Sequence, residues 1–257
     1  MDILSSKADG ILTIEFNRPE RKNAITAAMY QAMADAINDA EQDTAVRAIL
    51  ITGKPEIFTA GNDLDDFLKN SGPGRAVEDR EVYKFMVALN ACTKPVVAAV
   101  AGAAIGIGTT MLLHCDLVYC ADTAKFSLPF TPLGLVPEFA SSLLLPQMAG
   151  HARAAEKLLL GEPFLAQEAL QMGLVAKVLP VDELLPFAQR QAAKLVALPA
   201  NSIRTTKALM KRARGEAVMS TMTAENLHFG PMLQAPEAKE AFTAFFEKRK
   251  PDFSTFA

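Results

Sequence analysis

Apolar and polar positions along the chain change their period several times, and each change predicts a different element. From Ile11 to Phe16 apolar residues alternate with polar ones, the period of a half-buried strand. Gly10 separates this run from a short strand before it, so the chain opens on a hairpin. Thr26 then offers a helix cap, and Met29, Met33, Ile37 and Ala40 recur at helical spacing to about Glu41. Val46–Thr52 is apolar almost without a break and ends at Gly53, as expected of a buried parallel strand. Strand, helix and strand in this order imply a right-handed parallel crossover.

The alternation of strand and helix continues. Ile57–Phe67 starts as a strand, breaks at Ala60-Gly61-Asn62, and resumes with Asp63, Asp65 and Asp66, where the first turn of a helix favours acids. A glycine after Ala60 lets the backbone bend closely around a ligand, so the Ala60 N–H is read as pointing into a cleft, against the plainer reading of a capped turn. Asn70–Arg75 is rich in turn residues, and Val82, Phe85, Met86 and Leu89 place a helix over 78–92. Pro95–Ala101 is a second buried strand, with proline at its first position. Asp116–Cys120 is another short strand, in which Asp116 reads as a turn or hydrogen-bond anchor rather than a catalytic residue. Beyond Gly150 the pattern is mostly helical, over 152–160, 166–172, 181–197, 201–213, 216–233 and 236–248, with a last strand over 175–179. The helical tail from Pro199 reads as a separate packing unit. Its apolar residues Leu227, Phe229, Met232, Leu233, Phe242, Phe245 and Phe246 exceed what a thin helix pair needs, which suggests a subunit interface.

Candidate chemistry concentrates between Lys94 and Gln147. Gly102, Gly106 and Gly108 lead from the Pro95–Ala101 strand into a helix over 109–114. The turn is neither the G-x-G-x-x-G of a dinucleotide fold nor a nucleotide P-loop, but it exposes amides at a helix start. Further on, Pro129, Pro132 and Pro137 stiffen a loop that holds Glu138, the only acid between Asp122 and Glu156. Composition alone leaves two readings of Glu138 open, a helix first turn and a catalytic acid. The polar turn 17–23, with Arg18, Arg21 and Lys22, is likewise open between a solvated loop and a contact for a polyanionic ligand.

Composition narrows the classes. A formal net charge of -3 argues against nucleic acid as the main partner. No apolar run reaches the roughly 18 residues of a membrane helix, and the first residues lack a signal-peptide core. Cys92, Cys115 and Cys120 have no paired spacing and read as reduced core residues of a cytoplasmic protein. His114, His151 and His228 fit no zinc motif, so no metal is expected.

Four segments together carry a resemblance: Phe58-Thr-Ala-Gly-Asn-Asp-Leu64, Lys94-Pro-Val-Val-Ala-Ala-Val-Ala-Gly102, Cys115-Asp116 and Phe245-Phe-Glu-Lys-Arg-Lys250. In this order, and over nearly the whole chain, they resemble the crotonase superfamily, the enoyl-CoA hydratase/isomerase fold. The resemblance implies an α/β spiral of β-β-α turns over 1–198 and a C-terminal helical region over 199–257 that assembles a homotrimer or a dimer of trimers. It implies acyl-CoA thioester substrates, with CoA as part of the substrate and no separate cofactor. It places an oxyanion hole on the N–H groups of Ala60 and Ile107, and the bulk of Ile107 is expected to reshape the acyl pocket. CoA contacts fall at Arg21, Lys22, Ala24, Asn62, Asp63, Leu64, Phe245 and Lys248. The acyl pocket falls at Phe67, Thr110, Phe130 and Leu135.

Hydratases of this family use two glutamates, whose positions are held here by Thr110 and Phe130. Neither side chain replaces a carboxylate in moving protons on and off carbon and water. Leu128–Ser142 instead is similar to the P-F-x-x-L-G-x-x-P-E pattern of the Δ3,Δ2-enoyl-CoA isomerases, whose single glutamate aligns with Glu138. The expectation is an isomerase with Glu138 as acid and base. Its alternatives are a hydratase-like activity using another acid and a non-catalytic acyl-CoA-binding subunit.

Overall fold

The computed structural model describes residues 1–70 and 75–256; most of the turn expected at Asn70–Arg75 lies outside the described residues. The strands are β1 (Ile3–Ala8), β2 (Ile11–Phe16), β3 (Ala48–Thr52), β4 (Ile57–Thr59), β5 (Val96–Val100), β6 (Ala103–Ile105), β7 (Leu117–Ala121), β8 (Lys125–Ser127), β9 (Phe164–Leu165) and β10 (Lys177–Leu179). The helices are α1 (Ala27–Gln42), α2 (Leu64–Asn70), α3 (Glu81–Ala91), α4 (Ile107–Thr110), α5 (Ser141–Ala149), α6 (His151–Leu160), α7 (Ala166–Gln171), α8 (Val181–Ala197), α9 (Ala200–Arg212), α10 (Gly215–Leu233) and α11 (Pro236–Phe246).

The strands form two sheets, and the chain alternates between them. One sheet has the order β1-β2-β3-β5-β7-β10, parallel except for the opening hairpin. The other has the order β4-β6-β8-β9, parallel except for its last pair. Each of β3, β5 and β7 is followed by a three-residue strand in the second sheet, β4, β6 and β8, and then by helix. This is the β-β-α spiral that the resemblance implied. The short strands β6, β8 and β9 are too brief for an apolar period and were not expected from the residues themselves.

Burial explains the long elements. β3 and β5 are buried at every position, as continuous apolar runs require. The α1 stripe Met29, Met33, Ile37 and Ala40 is buried, and the Thr26 hydroxyl accepts from the Met29 N–H at 3.3 Å. α8 covers the opposite face of the six-stranded sheet, packing Leu184, Ala188 and Ala192 on Leu50, Val97, Ala99 and Tyr119. Asp116 is an anchor: its carboxylate accepts from the Val96 N–H (2.8 Å) and from Lys207 Nζ (2.6 Å), tying α9 to the start of β5. The helix expected over 109–114 begins earlier, at Ile107, and narrows into a 3-10 turn over Met111–His114.

The tail does not build a core of its own. Val218, Met222, Leu233, Ala238 and Phe242 join the same apolar cluster as α1 and β5, which corrects the expectation of a separate packing unit. Of the seven apolar residues assigned to an interface, Leu233 and Phe242 are buried within the chain and Phe229 and Met232 pack partly against it. Leu227, Phe245 and Phe246 are the exposed ones. Among the described residues, no helix is long and apolar enough to cross a membrane.

Candidate active site

The loop before α1 is fixed by a buried asparagine. Asn23 is fully buried at a positive φ of 52°, a conformation asparagine tolerates better than most residues. Its Oδ1 accepts from the Arg18 N–H (2.8 Å), and its Nδ2 donates to the carbonyls of Ile57 (3.1 Å) and Phe58 (3.0 Å). The Thr59 hydroxyl donates to the Asn23 carbonyl at 2.6 Å. The loop is thereby stitched to β4, with Arg21 and Lys22 on its outer side.

The same stitching decides which amides are free. The Ala60 N–H donates to the Lys22 carbonyl at 3.0 Å, so it is already engaged, and the assignment of the oxyanion hole to Ala60 is corrected. One turn on, the Ile25 N–H donates to the Gly61 carbonyl (2.8 Å) and the Asp63 N–H donates to the Ile25 carbonyl (2.9 Å). This parallel bridge turns the N–H of Asn62, the residue between them, away from Ile25, and no protein acceptor meets it among the described residues. Ile107 supplies the second free amide. It is the first residue of α4, where an N–H has no partner inside the helix. Gly61 and the Ile105 carbonyl are in such close contact that a Cβ on Gly61 would lie 2.7 Å from that oxygen, so the Asn62 and Ile107 segments lie side by side.

Both segments open on a cavity of about 500 Å³. Arg21, Lys22, Ala24, Asn62, Asp63 and Leu64 line it, and so do Phe67, Phe130, Leu135 and Phe245. Glu138 stands on its wall. The structure therefore brings together most of the residues expected at the site. Three stand apart. Thr110 is fully buried and does not line the cavity, and its Oγ1 has no partner among the described residues. The Ile107 side chain is fully buried in the core, so its bulk does not shape the pocket. Lys248 is exposed beyond the end of α11 and does not line the cavity. Asp63 does less toward a ligand than toward the loop. Burial works against its charge, but Arg18 (2.8 Å) and the Asp66 N–H (3.2 Å) outweigh it and hold the carboxyl below the usual range.

Glu138 itself is buried, and its Oε1 has no hydrogen-bond partner among the described residues. Burial pushes its carboxyl up to about 8, with the negative charge of Glu225 adding to the push. The residue does not sit in a helix first turn. Phe139 and Ala140, at φ 58° and 55°, separate it from α5. His114 holds this bend: its Nε2 lies 2.8 Å from the Phe139 carbonyl, and its ring stacks on Phe139 with centroids 3.7 Å apart. Burial lowers the His114 pKa to about 3, so the ring is neutral and donates from Nε2.

Two residues near the acid were not singled out from the sequence. Tyr30 donates from its hydroxyl to Asn62 Oδ1 at 2.6 Å, fixing the residue that carries the free amide. Burial, then the charges of Glu138 and Asp66, push its phenol well above the usual range. Glu225 is buried on α10. A signal for it was present: Val218, Met222, Glu225 and Phe229 follow helical spacing, which puts an acid on the core-facing stripe.

Comparison with known proteins identifies the family. Residues 6–255 match the family model described as enoyl-CoA hydratase/isomerase. The chain is 33% identical over 257 residues to 1,2-epoxyphenylacetyl-CoA isomerase of Escherichia coli (strain K12), covering 98% of each. It is 38% identical over 217 residues to enoyl-CoA delta isomerase 2 of Rattus norvegicus, covering 83% of this chain and 55% of that one. Among solved structures, an enoyl-CoA hydratase/isomerase from Pseudoalteromonas atlantica T6c superposes with a TM-score of 0.94 at 42% identity, covering 98% of this chain and 100% of the other. With its two-sheet spiral, its free amide pair and a family match over almost its whole length, this chain belongs to the enoyl-CoA hydratase/isomerase family of the crotonase superfamily.

Proposed function

We propose that the protein is an enoyl-CoA isomerase that shifts an acyl-CoA double bond from C3–C4 to C2–C3. The observation that carries the reading is Glu138, a buried carboxylate on the cavity wall whose Oε1 has no partner among the described residues, while the two hydratase positions hold Thr110 and Phe130. The other acids of the wall are otherwise placed: Asp63 pairs with Arg18, Asp65 pairs with Arg21, and Glu20 is exposed. Glu138 removes a proton from C2, and the electron pair moves into the thioester to give a dienolate. The N–H groups of Asn62 and Ile107 hold its oxygen. Glu138 then returns the proton at C4, and the double bond is left between C2 and C3. One acid suffices because the proton leaves and returns on the same substrate. A carboxyl with a pKa near 8 suits both halves of the exchange. The apolar wall of Phe67, Phe130, Leu135 and Phe242 keeps water from the dienolate. Arg21 and Lys22 meet the CoA phosphates. The reaction needs no separate cofactor, because CoA arrives as part of the substrate.

The test is a panel of 3-enoyl-CoA and 2-enoyl-CoA esters of several lengths, followed by the ultraviolet absorbance of the conjugated thioester. A 3-enoyl ester should gain conjugation, and a 2-enoyl ester should lose none to hydration. Hydration of crotonyl-CoA as the faster reaction would turn the reading to a hydratase-like enzyme. Binding without turnover of any ester would turn it to a non-catalytic subunit. The base must be ionised to begin, so kcat/KM should rise with pH through a midpoint near the Glu138 pKa of about 8. A flat profile across that range would contradict the assignment.

We also infer a trimer or dimer of trimers, using the apolar side chains that the single chain leaves exposed, Leu227 and Phe246 among them. Sedimentation velocity tests it, and a monomer would refute it. The unpaired Cys92, Cys115 and Cys120 support a cytoplasmic location.

A further inference from the structure

Glu225 lies on α10, 87 positions along the chain from Glu138, yet its carboxylate closes on the backbone just past that acid. Its Oε2 accepts from the Ala140 N–H at 2.6 Å. Its Oε1 accepts from the Ser142 N–H at 3.1 Å and from the Ser142 hydroxyl at 2.5 Å. Burial raises the Glu225 carboxyl above the usual range, and the three donors from Ala140 and Ser142 work against that rise by favouring the ionised form. The segment they hold has two consecutive non-glycine residues in the left-handed region, Phe139 and Ala140. Such residues persist only where their surroundings over-determine them. His114 grips the same bend from the other side, through the Phe139 carbonyl and ring. A buried carboxylate with three donors therefore fixes one flank of the turn that aims Glu138, and a stacked imidazole fixes the other.

We propose that Glu225 is a positioning residue for the reaction at Glu138, clasping the Ala140–Ser142 backbone and, when ionised, setting a negative charge near the base. The proposal rests on the isomerase reading for the reaction but not for the proton on Glu138. Among the described residues, the charge of Glu225 on α10 acts on the Glu138 carboxyl, and the charge of Glu138 acts in turn on the Tyr30 hydroxyl on α1. His114 meets Phe139 and not the carboxyl, and it is neutral. The charge beside the base is thus that of Glu225. It keeps the proton on Glu138 to higher pH than burial alone does.

Two readouts test this. The first is an infrared titration of the protonated carboxyl stretch of Glu138, identified by its absence in Glu138→Gln. It needs no substrate, so failure of the isomerase reading leaves it intact. Glu225→Gln should move the Glu138 midpoint down from about 8. The second is turnover of whichever acyl-CoA ester the parent accepts. In Glu225→Gln, kcat should fall roughly tenfold or more with KM within about twofold. A merely structural Glu225 would lower Tm and kcat together and leave the midpoint where it is, and that result overturns the proposal. Should Glu225→Gln fail to fold, Ser142→Ala keeps the charge and removes one clasp. It should lower kcat about fivefold with a fall in Tm of only a few degrees, from the one lost hydrogen bond, and parental kcat in that variant overturns the proposal equally.

Discussion

Glu138→Gln should lower isomerase turnover by about 10³-fold or more and leave acyl-CoA binding nearly unchanged. Glutamine fills the same volume, so the cavity wall and the amides of Asn62 and Ile107 keep their places. What disappears is the buried carboxylate assigned to take a proton from carbon and return it. The same substitution should change stability in a direction that depends on pH. In the folded protein the Glu138 carboxyl sits near 8, against 4.5 for the free side chain, so between these values the folded state holds a proton that the unfolded state has released. Folding is therefore penalised increasingly as pH rises from 4.5 to 8, and the penalty is complete above 8. Each pKa step is worth about 1.4 kcal/mol, which makes the full penalty several kcal/mol in order of magnitude. Glutamine removes it. Thermal melts should show Glu138→Gln and the parent alike near pH 4, and the variant clearly more stable at pH 9. Turnover retained within tenfold of the parent would sink the catalytic role. Melting curves that stay parallel at every pH would sink the buried-charge account.

The long, strongly patterned pieces of this fold are legible in the sequence because burial writes a period into them. The α1 stripe and the unbroken apolar runs of β3 and β5 are of this kind. Glu138 stands out as a lone acid in an apolar, proline-stiffened loop, but composition leaves its role open, and it is the similarity to the isomerase pattern that chooses the acid/base reading. The amide pair is less legible. Ala60 and Asn62 flank the same glycine, and which of their N–H groups is free depends on the Lys22 carbonyl reaching one of them across 38 positions of chain. No local composition encodes that pairing. Glu225 was hidden differently. Helical spacing puts it on the buried face of α10, but its partners Ala140 and Ser142 come from another turn of the spiral. β6 and β8, at three residues each, carry no period at all; β4 offers an edge to β6, and β6 in turn offers one to β8.

Gly61→Ala tests the amide pair without touching any acid. Gly61 sits at φ +83°, and an added Cβ would lie 2.7 Å from the Ile105 carbonyl oxygen, a backbone atom that cannot rotate aside. Either the Asn62 segment or the Ile105–Ile107 segment must move, and each carries one of the two free amides. Left-handed strain costs about 1–2 kcal/mol, and with the displacement the total should reach about 2–4 kcal/mol. The effect on rate should be larger than the effect on stability suggests. Oxyanion donors work only when aimed at the position the charge will occupy, so a shift near 1 Å should lower kcat on the order of 10²-fold. Gly150→Ala is the control. Its φ is +81°, and an added Cβ meets nothing within 4 Å, so it carries the backbone strain alone, outside the site. It should cost about 1–3 kcal/mol with kcat unchanged. If the two variants lost stability alike and both kept parental kcat, the close contact at Gly61 would have no part in holding the thioester oxygen. A rate loss confined to Gly61→Ala, with the pH midpoint of Glu138 unmoved, separates the amides' contribution from that of the acid.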